Sequence, residues 1–262
     1  DALLIIAVSN GNLLGRRWVK EEDFLSEEVT LSEEDVLLPS LDIVPSKVLI
    51  GPGQQWLYVL AADGGFRLID LKKQTITDRG YLFDNGKLSQ ARFLLGGISL
   101  LVASDHGSIG QWFVVRDKER DSGYKLQAVR NFDIPNGGVA ALATEHRRKG
   151  FASINSAGQL DLFYTTSHRR LLRKDLDVGQ VSMMAISPRA DKLLVENVDG
   201  GLASFTLHNE HPELSWSALW SKVWYESYPE PDYVWQSSAS SNDFEAKYSF
   251  APLAFGTLKA AF

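Results

Sequence analysis

Five histidines, His106, His146, His168, His208 and His211, are the residues of this chain best suited to metal ligation or general-base work. Their spacing denies them partners. His208 and His211 stand three apart, but Pro212 breaks any helix that would set both on one face. His106 follows Asp105 between two apolar runs, where a tight turn is expected to hold it at a polar rim. The chain has no cysteine, which excludes disulfides, thiolate catalysis and cysteine-ligated zinc or iron–sulfur centres. GPGQQW, from Gly51, carries the first two glycines of a dinucleotide fingerprint without the third, and neither a P-loop nor a Gly-x-Ser-x-Gly elbow occurs. No catalytic, metal-binding or cofactor-binding residue is expected, and the chain is not read as an enzyme. Asp63, Asp105 and Asp199 recur beside glycines, so their expected work is turn geometry.

The elements that would carry such turns repeat. LLIIAVSNGNLLGRRWV, WLYVLAADGGFRLIDL, SLLVASDHGSIGQWFVV, GFASINSAGQLDLFYTT and KLLVENVDGGLASFTLH each hold an apolar strand, a few small polar residues, a glycine and a second strand. The glycines are Gly11, Gly64, Gly107, Gly158 and Gly200, at intervals of 53, 43, 51 and 42 residues. Asn-Gly and Asp-Gly pairs predict two-residue hairpin turns with positive φ. After the turn, Phe66, Leu68 and Asp70 alternate with Arg67 and Ile69, the pattern of a half-buried strand. A further strand precedes most hairpins (KVLIGPGQQ, ARFLLGG, VAALATEHRRK, VSMMAISPRADK) and another follows several (QTITDRGYLF, KLQAVRNFDI, RRLLRKDLDV). Four strands per 40 to 50 residues is the period of a β-propeller blade. The fold class is therefore all-β, a β-propeller with five visible blades in residues 1–210, an aromatic helix and Pro/Ser-rich linker at 211–247, and an apolar tail at 248–262. The blades resemble the WD and quinoprotein-like architecture. They lack the Trp-Asp and Gly-His pairs of true WD repeats.

A net charge of −6 argues against a nucleic-acid partner and against an anionic-lipid surface, both of which need a basic footprint. No run reaches the roughly 18 apolar residues of a membrane span. DALLIIAVSN has no basic leader region or cleavage site, so no signal peptide is expected within the sequence. Between the first two hairpins, KEEDFLSEEVTLSEEDVLLPS holds six glutamates and two aspartates against one lysine. This run is read as a solvated edge, with a protruding partner loop as the alternative. RRKG at 147–150 and SHRRLLRK at 167–174 are read as a turn and an outer strand whose basic side chains block edge pairing, not as an anion site.

After His208 the pattern changes. Trp216, Trp220 and Trp224 are four apart and predict one aromatic face of a short helix at a surface, packed on the propeller or on a neighbour, or lying at the headgroup level of a membrane. YPEPDYVW is expected to be an extended connector and SSASSND a hinge, before a tail whose only charge between Ser249 and Phe262 is Lys259. From Glu230 to Lys259 this stretch resembles the approach to the permease core of phosphate ABC transporters of the PstC type. There a P-E-P-x-Y-x-W-Q-S-S-x-x-x-D-x-E-x-K-x-S stretch precedes P-L-x-F-G-T-L-K and a membrane helix. Gly256, Thr257, Leu258 and Lys259 carry the densest part of the match. The resemblance implies a periplasmic propeller domain in a permease of the bacterial inner membrane, acting in protein docking or regulation. Its implied partners are a second permease subunit, an ATPase reached through membrane segments outside this chain, and a periplasmic phosphate-binding protein. It implies no cofactor. A structural or assembly role, or a propeller that senses a small ligand such as phosphate, is the alternative. The tail is expected to lie outside the propeller core.

Overall fold

A computed structural model of the chain describes residues 2–7, 12–22, 29–208, 212–239 and 244–261. The hairpin glycine at 11, His211 and the end of the Ser-rich hinge lie outside the described residues. The chain divides into two compact units, residues 1–82 and 83–262.

The first unit holds two antiparallel meanders. One is β1 (Ala2–Ala7), β2 (Leu13–Glu22) and β3 (Val29–Val36); the other is β4 (Pro45–Ile50), β5 (Trp56–Ala61), β6 (Gly65–Asp70) and β7 (Thr75–Tyr81). Leu13 packs with Leu57, Val59, Ile69 and Leu71 in the core between these two sheets. Over 29–36 the acidic run is no loop: β3 is the exposed edge strand paired along β2, from Gly15↔Val36 to Glu22↔Val29. Arg16 across the pair holds Glu33 and Asp35 at 3.2 and 3.4 Å. The solvated-edge reading stands for β3.

Arg67, the one half-buried residue of β6, donates from Nε to Asp42 Oδ1 at 2.6 Å. That hydrogen bond holds the Asp42 carboxyl down at about 2, below its ordinary 3.8. Because the folded-state value is the lower one, the contribution is present above the unfolded value and is lost as pH falls through the folded one. An NMR titration is expected to place Asp42 at about 2, and Arg67→Gln to return it toward 3.8. An unmoved midpoint in the variant would show that Arg67 is not the cause.

The second unit continues the repeat. Its sheets are β8 (Leu88–Phe93), β9 (Leu100–Ser104), β10 (Ser108–Arg116) and β11 (Tyr124–Asp133); then β12 (Val139–Thr144), β13 (Gly150–Asn155), β14 (Gln159–Tyr164) and β15 (Arg169–Asp175); then β16 (Val181–Ile186), β17 (Lys192–Asn197) and β18 (Leu202–Thr206). The first strands of successive sheets, β8, β12 and β16, lie side by side, and hydrophobic cores fill the spaces between sheets. This is β-propeller architecture. SHRRLLRK forms the outer strand β15 as expected. Its Arg173 turns inward, with Nε and Nη2 on the two carboxylate oxygens of buried Asp161 at 2.8 and 2.9 Å.

Two expectations about the strands need correction. Half-burial does not describe the inner strands: β6 is buried except at Arg67, and every residue of β13 is buried. The sheet β12–β15 shows the cause. Ala152, Ile154, Leu160 and Leu162 face the core shared with β16–β18, while Phe151 and Phe163 face the core shared with β8–β11. The two-residue period is kept, but each face meets another sheet.

The turns also differ from the expected type. At Gly64, Gly107, Gly158 and Gly200 the glycine N–H donates to the carbonyl three residues back, at 3.1, 3.3, 3.0 and 3.0 Å. Only the glycine of each loop has positive φ, at +85, +82, +82 and +80°. These are three-residue loops, a type I turn closed by a left-handed glycine. The residue opening the loop caps it: Asn155 Oδ1 accepts from the Ala157 and Gln159 N–H groups, Asn197 Oδ1 from Asp199 and Gly201, and Ser104 Oγ from His106 and Ser108. Asp63 does turn work as expected, accepting from the Gly65 N–H at 3.0 Å.

Candidate functional site

The main chemical feature of the second unit is a buried ionic cluster where residues 212–239 and 244–250 seat on its sheets. Its foundation is Lys149, last residue of the turn between β12 and β13 and only 1% exposed. Nζ donates to Glu226 Oε2 at 2.6 Å and to the Leu95 carbonyl at 2.6 Å. Leu95 lies in the corresponding turn between β8 and β9, so these turns meet at one end of the sheets.

Glu245 joins the same cluster from the other side. Its Oε1 accepts from Thr166 Oγ1 at 2.5 Å, and its Oε2 from the Glu226 N–H at 2.8 Å. Thr166 and Ser167 belong to the turn between β14 and β15, and Ser167 Oγ donates to the Pro212 carbonyl at 3.0 Å. Arg130, on β11, donates to Gln111 Oε1 at 2.9 Å, to the Trp224 carbonyl at 2.5 Å and to the Thr166 carbonyl at 3.4 Å. Arg169 Nη1 reaches the Leu214 carbonyl at 2.5 Å. Lys247 stacks over the rings of Phe244 and Tyr225, 4.8 and 5.6 Å from their centroids.

Desolvation dominates the electrostatics. Burial pushes the Glu226 carboxyl above its ordinary value, reinforced by the Glu245 charge and opposed by Lys149. Burial lowers both Arg130 and Lys247 and pushes the Tyr225 phenol up to about 12. A set of charges out of water is tolerated when each is hydrogen-bonded to a partner. The arrangement therefore acts as a clamp. It fixes the post-propeller chain to three turns of two adjacent sheets.

What the clamp delivers is an aromatic platform and a helix. α1 (Trp216–Trp220) is one short turn, capped by Ser215 Oγ accepting from the Ala218 N–H at 3.1 Å. It stops where Ser221 turns extended, and Val223 bridges Asp232. The single helical face expected of three tryptophans is thus overturned. Trp224 lies beyond the helix, edge-on to Phe113, its Nε1 donating to the Tyr228 carbonyl at 2.8 Å. Nor does the stripe bury itself: Trp216 is 80% exposed and Trp220 51%. Trp220 and Trp235 instead flank Phe250, each 5.6 Å away, and β19 (Trp235–Gln236) pairs with β20 (Lys247–Tyr248). The connector is therefore seated rather than free.

The Phe250 N–H donates to the Leu219 carbonyl at 2.7 Å, and from there α2 (Ala251–Ala261) projects. Gly256, Thr257, Leu258 and Lys259 all lie on α2 and are exposed, with Thr257 Oγ1 donating to the Leu253 carbonyl at 2.9 Å. Leu253, Phe255 and Leu258 stand 43, 71 and 59% exposed. α2 contributes nothing to the cores between sheets, and no helix among the described residues is long and apolar enough to cross a membrane.

The histidines stay scattered. His106 Nδ1 sits 2.7 Å from Asp105 Oδ1 at the exposed rim; His168 packs edge-on to Phe132 with Nε2 3.0 Å from the Asn131 carbonyl; His208 borders a separate surface cavity. No cluster suited to a metal ion occurs among the described residues. Sequence reasoning placed RRKG correctly in a turn but missed Lys149, Glu226, Glu245, Arg130 and Lys247. The only available signal was that Lys149 closes a basic run just before a buried strand.

No family model matches the sequence, and no curated protein does. Among solved structures, the chain is similar to the β-propeller domain of Cps50 (Swd1) from Myceliophteria thermophila, with a TM-score of 0.59 at 12% identity. The match covers 79% of this chain and 66% of that one, just under two thirds of its length. At that identity the likeness concerns the fold alone.

Proposed function

We propose that this chain is the periplasmic propeller domain of a phosphate ABC importer permease of the PstC type, and that it works by docking a partner protein rather than by catalysis. The observation that carries the reading is α2. An eleven-residue helix with no buried residue and exposed Leu253, Phe255 and Leu258 is unstable in water unless something apolar receives it. Its sequence is the stretch that resembles the start of a permease core. Aromatic side chains at its root, Trp216, Trp220 and Trp235, are amphipathic and suit a headgroup layer. The clamp supplies rigidity, so that a partner bound to the propeller would bear on the membrane segment.

The decisive test is binding of the chain to the periplasmic phosphate-binding protein of the same importer, by calorimetry. Association in the micromolar range is expected. Absence of any heat at several hundred micromolar would remove the docking role. Deleting the propeller from the full permease distinguishes an assembly role, in which uptake per assembled transporter stays unchanged while subunit levels fall.

A further inference from the structure

We propose that the open face of the β16–β18 sheet binds the open face of the β1–β3 sheet on a second copy of this chain, head to tail. Strand register points to the first of these faces. In β12–β15, Ala141 lies opposite Ile154 and Ala143 opposite Ala152, with Leu160 and Leu162 opposite the same two residues on the next strand. All six are buried in the core shared with β16–β18. One sheet later, the same register positions hold Met183 opposite Glu196, Ala185 opposite Leu194, then Leu202 and Ser204. No sheet among the described residues covers them, and Met183, Leu194 and Leu202 stand 52, 48 and 77% exposed. The other side of the sheet, with Met184, Ile186, Leu193 and Val195, is buried against β12–β15. A face that every earlier position in the repeat would bury is here an exposed apolar patch.

Successive sheets of the second unit meet in one sense. The face turned toward the C-terminal neighbour receives the face turned toward the N-terminal one, as Ala152 and Ile154 of β13 share a core with Leu193 and Val195 of β17. Among the described residues, the exposed face of the receiving kind is on β1–β3. Leu13 points into the core with β4–β7, so Leu14, Arg16 and Trp18 point the other way, with Leu4 paired beside Arg16. Leu4, Leu14, Arg16 and Trp18 line an open cavity of about 530 Å³, a recess for projecting side chains such as Met183 and Leu202. Neither face is covered by its own unit.

Composition favours folded copies as the occupants. At the positions where β12–β15 is apolar throughout, β16–β18 has half-buried Glu196 in the place of Ile154 and Ser204 in the place of Leu162. The β1–β3 face likewise mixes Leu4 and Leu14 with Trp18 and with Arg16, which holds Glu33 and Asp35. Met, Trp and Arg among polar groups are the make-up of interfaces between folded proteins rather than of a permanent core. Two unlike faces make a heterologous contact, which adds copies until the ring closes or an end is capped. The pairing does not depend on the permease reading, because α2 takes no part in it.

The test is sedimentation of the 262-residue chain. Leu253→Ser/Phe255→Ser/Leu258→Ser is placed in every sample, so that α2 cannot drive association. Growth beyond the monomer is expected between about 1 and 100 μM. Met183→Lys/Leu202→Lys and Leu4→Lys/Leu14→Lys are each expected to weaken it about tenfold or more. Tyr81→Lys/Leu172→Lys, exposed on outer strands, is the control and leaves it unchanged. An equimolar mixture of the two face variants is expected to form a 1:1 dimer that grows no further, since each keeps one intact face. A variant that had lost its fold could not restore that dimer. A monomer at every concentration overturns the proposal. So does association lost only with the β16–β18 variant, which indicates a two-fold pair of that sheet, and so does a mixture that stays monomeric while both variants melt with the parent.

Discussion

Lys149→Met is expected to destabilise the second unit by about 3–5 kcal/mol at neutral pH, because it strands the Glu226 carboxylate in a desolvated site. Methionine fills much of the space of the lysine stem, so the cost is electrostatic rather than a cavity. The double variant Lys149→Met/Glu226→Leu removes both charges and is expected to recover most of the loss. Equilibrium urea unfolding followed by tryptophan fluorescence measures this, since Trp112 and Trp224 both lie in this unit.

The pH dependence sharpens the result. Burial already holds Glu226 above its ordinary 4.5. A carboxyl raised on folding contributes stability that is full below the unfolded value and lost as pH rises through the folded one. Without Lys149 the folded value climbs further, so the deficit is expected to be largest at pH 7 to 8 and to shrink on acidification, as Glu226 takes a proton. A deficit under about 1 kcal/mol at neutral pH, or one that does not change with acid, would mean that the pair is not desolvated as described.

The second large effect separates two glycines that perform the same turn. Gly107 and Gly200 have φ of +82 and +80°, so alanine meets the same left-handed penalty of about 1–2 kcal/mol at either. Their surroundings differ. A methyl at Gly107 would run into the Ile134 carbonyl, whose own N–H is bonded to the Gly107 carbonyl at 2.7 Å, and into that of Gly137. Nothing stands near Gly200. Gly200→Ala is expected to cost only the conformational term, whereas Gly107→Ala adds a backbone clash of about 1–3 kcal/mol more. Each kcal/mol corresponds to about 2–4 °C in a domain of this size, which thermal scans resolve. Equal shifts in the two variants would show that the β11–β12 connection yields without cost.

The comparison of these two turns also marks where the sequence stops being readable. The repeat was legible because turn glycines and apolar strands are local signals: Gly64, Gly107, Gly158 and Gly200 announce hairpins, and 40 to 50 residues between them announce blades. The same signals misjudged the turn type, since Asp-Gly fits both a two-residue loop and the third position of a longer one. They also misjudged burial. A sheet covered on one face and a sheet covered on both keep the same two-residue period, so alternation alone does not reveal that Ala152 and Phe151, on opposite faces of β13, both meet another sheet.

Trp216, Trp220 and Trp224 suggested one helix because spacing is blind to competition. In the fold, Val223 pairs with Asp232 and the helix ends at Trp220. The apolar tail and its freedom from the core could be read in advance, because Leu253, Phe255 and Leu258 lie in a run with a single charge. The clamp could not. Lys149 and Glu226 are 77 residues apart; Lys149 closes a basic run and Glu226 stands between Tyr225 and Ser227 with no charged residue beside it. Likewise nothing in the segments around Met183 and Leu202 says that their face, unlike that of Ala141 and Leu160, stays uncovered. Blade period, strand content and the exposed tail follow from interactions between near neighbours in the chain. Which lysine is buried, which sheet face stays open and where the tail is anchored depend on the meeting of distant elements, and only the folded chain creates the low dielectric that gives those charges their meaning.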